Sequence, residues 1–383
     1  MSSMKKRILI FSTAYFPLIG GAEVAVKEIT GRINDFEFVM VSPRLRKDLP
    51  ETEQIGNLTI HRIGRGNNFD KFRLFLQGPK YAKSLGEFGA IWSIMASYAG
   101  FTALRYKKEN KQVPFLLTLQ EGDTKAHIYS RAWFVWPYFK QIFKKADRIQ
   151  AISKYLADWA REMGAKAPID IVPNGVDVER FQDTCLPAGM ARNKIQTDEK
   201  DIITVSRLVD KNGVEDLIKA MAFLSENVHL IILGDGELKG HLEEVSKNNN
   251  LDKRIHFVGN VAPKEVYNYL AKADVFCRPS LSEGLGNAFL EAMSVGLPVV
   301  ATKVGGIPDF LVDGETGWFC EVKDPRSIAE KIKYILDEKN KEEVLRVMEN
   351  AKKMVKEKYG WELVAQKMER IFNLLVFGGK SEK

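Results

Sequence analysis

Short apolar runs recur along this chain, each followed by a stretch whose apolar residues return with helical spacing. In the first half the runs cover residues 7–12, 36–42, 90–94, 115–119 and 148–152, with helical patterns at 23–33 and 138–145. After about residue 175 the alternation restarts, with runs at 201–206, 229–233, 255–258, 275–278 and 298–302. Runs of this length without polar interruption fit strands buried on both faces, and strand–helix alternation builds parallel sheets covered by helices on each side. The pattern therefore predicts an α/β chain of two Rossmann-like, doubly wound domains. Val172-Pro173-Asn174-Gly175 punctuates the pattern and sets the boundary: an N-terminal domain over 1–173 and a C-terminal domain over 174–360. The amphipathic segment 361–377 is expected to pack back on the first domain. Two such sheets with facing carboxyl ends are expected to frame a ligand cleft.

Composition narrows the class. At 383 residues, 45% hydrophobic and 28% charged, the chain suits two soluble domains of ordinary size. Cys185, Cys277 and Cys320 are odd in number and widely spaced, which fits buried thiols in a reducing compartment and no metal motif. Residues 1–22 begin like a secretory signal, but Ser12, Thr13, Tyr15 and Pro17 interrupt the apolar stretch, so a buried first strand is expected. Residues 88–104 carry no charge, yet they fall short of a membrane span and read as a strand running into a helix. A cytoplasmic protein follows, peripheral at the inner face of a membrane if its basic half meets lipid.

The charge is lopsided. Residues 1–175 hold 27 Lys and Arg against 16 Asp and Glu, whereas residues 176–383 hold 30 against 34. The front half either meets something anionic or carries a solvated basic surface. Residues 133–145 interleave Trp133, Phe134, Trp136, Tyr138, Phe139 and Phe143 with Lys140, Lys144 and Lys145. That mixture fits a membrane interface as well as a helix packed on the core. No recognised nucleic-acid module or stacking platform is present, so nucleic acid is not an expected partner.

The chemistry concentrates after the run 275–278, in Ser282-Glu283-Gly284-Leu285-Gly286-Asn287-Ala288-Phe289-Leu290-Glu291. Gly284 and Gly286 let the backbone approach a ligand, and a helix beginning near Asn287 aims N–H groups at a phosphate. Glu291, one turn along, is placed to accept bonds from sugar or ribose hydroxyls, and Glu283 precedes the helix on the same side. Gly20-Gly21 after the first strand forms a second anion-binding loop, without the Gly-x-Gly-x-x-Gly spacing of a dinucleotide fingerprint. Arg207 and Lys211 follow the run 201–206, where cations at a strand end can meet a negatively charged ligand. The five histidines and the carboxylates show no metal spacing, so no metal or other cofactor is expected.

These motifs together resemble the retaining glycosyltransferases of family 4, which have the GT-B fold. The resemblance runs through Gly20-Gly21-Ala22-Glu23, Val172-Pro173-Asn174-Gly175-Val176-Asp177, Ser206-Arg207-Leu208-Val209, Gly234-Asp235-Gly236, Glu283 and Glu291 at the Glu-x7-Glu spacing, and Gly305-Gly306-Ile307-Pro308-Asp309. It covers nearly the whole chain in the expected order. The resemblance implies transfer of a sugar from a UDP- or GDP-sugar to an acceptor hydroxyl with retention, the donor's own phosphate oxygen taking the acceptor proton.

It further implies that Arg207 and Lys211 stabilise the leaving group, that Glu291 holds the ribose and that Glu283 holds the donor sugar. Gly20, Gly21, Gly234, Leu285, Gly286 and Asn287 complete the implied donor site. Two departures stand out. The family's Lys usually directly precedes the Gly, where this chain has Asn212 and Lys211 stands one position earlier. Many relatives have a His near the end of the strand 115–119, where this chain has Gln120, able to hydrogen-bond a sugar but unable to act as a base. Glu121 and Asp123 are candidate acceptor contacts, the acceptor being a saccharide or a lipid-linked one. The competing readings are an epimerase or phosphorylase-like enzyme on the same fold, and a non-catalytic sugar-nucleotide binder.

Overall fold

In the computed structural model, which describes residues 6–178 and 198–378, each half of the hydrophobic pattern becomes one sheet. The first contains β1 (Lys6–Phe11), β2 (Phe36–Pro43), β3 (Thr52–Ile55), β4 (Leu58–Ile63), β5 (Ala90–Ile94), β6 (Phe115–Leu119), β7 (Arg148–Ala151) and β8 (Ile169–Ile171). They lie in the order β3-β4-β2-β1-β5-β6-β7-β8, parallel except for the β3–β4 hairpin. The second contains β9 (Lys200–Val205), β10 (Val228–Leu233), β11 (Ile255–Gly259), β12 (Val275–Arg278), β13 (Val299–Thr302) and β14 (Trp318–Cys320). Their order is β11-β10-β9-β12-β13-β14, all parallel. Helices on both faces leave β1 and β12 no solvent side, and Ile8, Leu9, Ile10, Val275, Phe276 and Cys277 are fully buried.

The chain divides into one unit of residues 1–121, 125–175 and 361–383 and a second of residues 122–124 and 176–360. The helix Trp361–Phe377 therefore belongs to the first unit, where Phe372 meets Trp92 and Phe38 edge-on at 5.1 and 5.7 Å. Trp361, Val364, Ala365 and Met368 extend the same core. The division falls between Gly175 and Val176. Gly175 lies tight on the Trp361 indole, with no room for a larger side chain.

Both sheets reverse their strand order once beside their first strand, between β1 and β5 in one and between β9 and β12 in the other. At such a switch point the connections diverge and leave space for a ligand beyond the carboxyl ends of the strands. Residues 88–104 form β5 and the start of the helix Tyr98–Glu109. No helix among the described residues is long and apolar enough to cross a membrane. Burial raises the thiol pKa of Cys277, and that of Cys320 to about 12, as suits inert core thiols; Cys185 lies outside the described residues.

Candidate active site

In the second unit, the two strands that flank the switch point deliver the residues singled out by the sequence. β9 leads into Ser206 and Arg207, and β12 ends at Arg278 and leads into the loop of Glu283. Arg207 is exposed, and the backbone of the next residue is held from two sides. Leu208 N–H donates to the Asp235 carbonyl at 2.9 Å, and Leu238 N–H donates to the Leu208 carbonyl at 3.1 Å. Gly234 has a φ of 133°, and a Cβ there would collide with the Ser206 carbonyl. In this structure Gly234 shapes the Arg207 loop by letting two backbones touch. Gly234→Ala combines a strained φ with that collision and should cost about 2 kcal/mol or more, read as a lowered denaturation midpoint.

Asn212 explains one departure from the family pattern. Its side chain is 5% exposed, and Nδ2 donates to the Arg207 carbonyl at 2.6 Å, so it braces the loop. The cation comes from Lys211, whose Nζ lies 2.8 Å from an Asp123 carboxylate oxygen. Asp123 and Gly122 are among the residues that belong with the second unit. The Lys211 carbonyl accepts the Leu281 N–H at 2.6 Å, and Gly213, at φ 65°, lies against the Pro279 carbonyl. The loops after β9 and β12 are thus laced together through their backbones.

At the end of β12 is a residue the sequence reading passed over. Arg278 is 6% exposed, and its guanidinium bonds the Glu283 carboxylate, Ser280 Oγ at 3.2 Å and the Val205 carbonyl at 3.1 Å. Its Cζ lies 4.3 Å from the Phe289 ring centroid. Burial lowers its pKa, and the charges of Glu283 and then Glu291 oppose that shift. Arg278 is therefore the direct counter-charge of Glu283. The available signal was a charged residue closing an otherwise apolar run, Val275-Phe276-Cys277-Arg278.

Glu283 has its other oxygen on the Gly284 N–H at 3.0 Å. The Glu283 carbonyl accepts the Gly306 N–H at 3.1 Å, and Gly305, at φ 55°, leaves no space for a Cβ against it. The Gly305-Gly306 turn thereby fixes the Glu283 backbone. Gly286, at φ 91°, precedes the helix Asn287–Ser294, and a Cβ there would meet the Phe289 ring and the Arg278 guanidinium. Glu291 is half-buried in the second turn of this helix, whereas Leu285 is buried. Among the described residues no group of three or more His, Cys, Asp or Glu is placed to hold a metal ion.

In the first unit, Gly20 caps the helix Gly21–Arg32 after β1. The Glu23 carboxylate folds back on this loop, close enough to Gly20 that a Cβ there would collide with it, and burial raises its pKa. A carboxylate of the chain itself thus lies beside the start of this helix. Gln120 follows β6, and its Oε1 accepts from Asn174 Nδ2 at 3.3 Å. Glu121 is 7% exposed, and its oxygens accept the Ala96 N–H at 2.6 Å and the Gln120 N–H at 2.9 Å. Set against the expectation of an acceptor contact, this geometry gives Glu121 a clamping job between the ends of β5 and β6. Met95, beside that clamp, has a φ of 69°, a conformation that side chains avoid.

Residues 133–145 are buried in part and exposed in part. Phe139, Ile142 and Phe143 are core, whereas Trp133 and Phe134 are 73% and 68% exposed.

The family model described as Glycosyl transferases group 1 matches residues 188–354, and that described as Glycosyltransferase Family 4 matches residues 19–180. The chain belongs to this glycosyltransferase family. An uncharacterised glycosyltransferase of Methanocaldococcus jannaschii is 28% identical over 371 residues, 96% of this chain and 98% of the relative. A GDP-mannose-dependent alpha-(1-6)-phosphatidylinositol monomannoside mannosyltransferase of Mycobacterium tuberculosis is 25% identical over 258 residues, 63% of this chain and 66% of the relative. Among solved structures, Anabaena HepE in complex with UDP-glucose superposes with a TM-score of 0.80 at 18% identity, over 96% of this chain and 99% of that one. The fold is GT-B, with two parallel-sheet domains.

Proposed function

We propose that this glycosyltransferase moves a sugar from a UDP- or GDP-sugar to the hydroxyl of a saccharide or lipid-linked acceptor, with retention of anomeric configuration. The observation that carries the reading is the gathering of Arg207, Lys211, Glu283 and Glu291 on the segments after β9 and β12, where an α/β sheet receives its ligand. Arg207 and Lys211 take the charge that builds on the departing diphosphate, and Lys211 exchanges Asp123 for phosphate as the donor enters. The backbone of Leu285, Gly286 and Asn287 receives phosphate, as do Gly20 and Gly21. Glu291 holds the ribose, while Glu283, oriented by Arg278, and Gln120 hold the donor sugar. Relatives that name GDP-mannose and UDP-glucose support the donor class and leave the base open.

Loss of a charged hydrogen-bonding group at the ribose should raise the donor KM of Glu291→Ala about ten- to hundredfold with little change in kcat. The reaction itself is tested by incubating the protein with a panel of UDP- and GDP-sugars and sugar acceptors in the presence of EDTA, and assigning the product anomer by proton NMR. The reading expects transfer with retention. An inverted product, loss of activity with EDTA, release of free sugar or a requirement for orthophosphate would contradict it.

A further inference from the structure

The helix Asp70–Ser84 has two unlike faces, and both carry apolar residues. Asp70, Leu74, Gly78 and Ala82, four apart, are buried beneath it. On the outer stripe Phe69, Phe72 and Leu76 are 63%, 49% and 56% exposed, and the stripe continues into the exposed Lys80 and Lys83. Three large apolar side chains in succession on the solvent face of one helix are more than scattered exposure.

The neighbouring elements extend this surface. Phe69 lies 5.5 Å from Phe72, and Phe72 meets Tyr98 edge-on at 5.3 Å. Phe75, on the same helix, meets Tyr138 at 6.4 Å, and Tyr138 stacks on Phe101 at 5.4 Å. Cations border the rings: Lys108 Nζ is 4.6 Å from the Tyr138 centroid, and Arg105 donates to the Phe75 and Leu76 carbonyls at 3.3 and 3.2 Å. The exposed Trp133 and Phe134 lie on the turn that leads into the helix of Tyr138. Tyr98 is two residues beyond Ala96, the residue that Glu121 clamps at the carboxyl end of β5.

We propose that this face of the first unit docks on a bilayer containing anionic lipid, with Phe69, Phe72 and Leu76 entering the interface and Lys80 and Lys83 meeting the headgroups. Aromatic and aliphatic groups flanked by lysines match the two layers of such an interface, apolar below and negative above. The excess of 27 Lys and Arg over 16 Asp and Glu in residues 1–175 has the complementary sign. A second copy of the chain would bring the same basic surface against itself, which disfavours it as the occupant. The inference goes beyond the transferase reading and does not depend on it, because its readout is vesicle binding rather than turnover.

The test is flotation of the full chain with phosphatidylcholine vesicles, with and without phosphatidylglycerol, at low and high salt. The expected result is binding to the phosphatidylglycerol vesicles that weakens with salt. Phe69→Ser/Phe72→Ser/Leu76→Ser and, separately, Lys80→Glu/Lys83→Glu should each lower the partition coefficient about tenfold or more. An unchanged thermal midpoint certifies that each variant is folded. Failure of the wild-type protein to float, or unchanged flotation of both folded variants, overturns the proposal. So does a wild-type dimer that the serine substitutions make monomeric, since the face would then belong to a second copy.

Discussion

Replacing Arg278 by methionine is expected to lower the stability of the second unit by about 3 kcal/mol, because removing one partner strands a largely buried carboxylate. Glu283 keeps the Gly284 N–H and 16% side-chain exposure, which holds the loss to the lower end for such pairs. For a unit of this size the melting temperature should fall by about 6–12 °C. The accompanying loss of turnover has a separate cause: without the guanidinium, the Glu283 carboxylate no longer has one fixed direction. Arg278→Met/Glu283→Gln removes the stranded charge, so it should recover much of the stability while turnover stays low. A double variant as unstable as Arg278→Met would show that the arginine serves the fold by another route, and one with restored turnover would remove Glu283 from the reaction.

Arg207→Ala should behave in the opposite way. The side chain is exposed, and the loop is held by Asn212, Asp235 and Gly234 through backbone contacts that the substitution leaves in place. The melting temperature should therefore hardly move. Turnover should fall about 10²- to 10³-fold, the usual loss when one preorganised charge or donor is withdrawn from a developing anion. A variant with normal kcat would place the diphosphate elsewhere. A variant that melts early would reveal a structural duty that the contacts around Arg207 do not show.

The buried parallel strands were legible because they are apolar along their whole length. The runs at 7–12, 90–94 and 275–278 reappear as β1, β5 and β12 within a residue. The β3–β4 hairpin escaped notice because Thr52-Glu53-Gln54-Ile55 is polar at three of four positions and lies on a sheet edge, where little burial writes a pattern. The helix Asp70–Ser84 was masked by Pro79 and by its two apolar faces, which blur the helical period.

At the site, glycines and strand ends marked Arg207, Glu283 and Glu291, but local sequence could not report who pairs with whom. Nothing in the spacing says that Asn212 braces Arg207, that Glu121 clamps Ala96 or that Glu23 returns to Gly20. Those contacts join separate loops or turn back on their own, so they exist only once the chain has folded.

The most direct measurement is calorimetric titration of UDP and GDP into the wild-type protein and into Arg207→Ala and Glu291→Ala. The account predicts that one of the two nucleotides binds the wild-type protein at a single site, and that each substitution weakens this binding by about tenfold or more while the protein stays folded. Binding of neither nucleotide, or equal affinity in all three proteins, would contradict it.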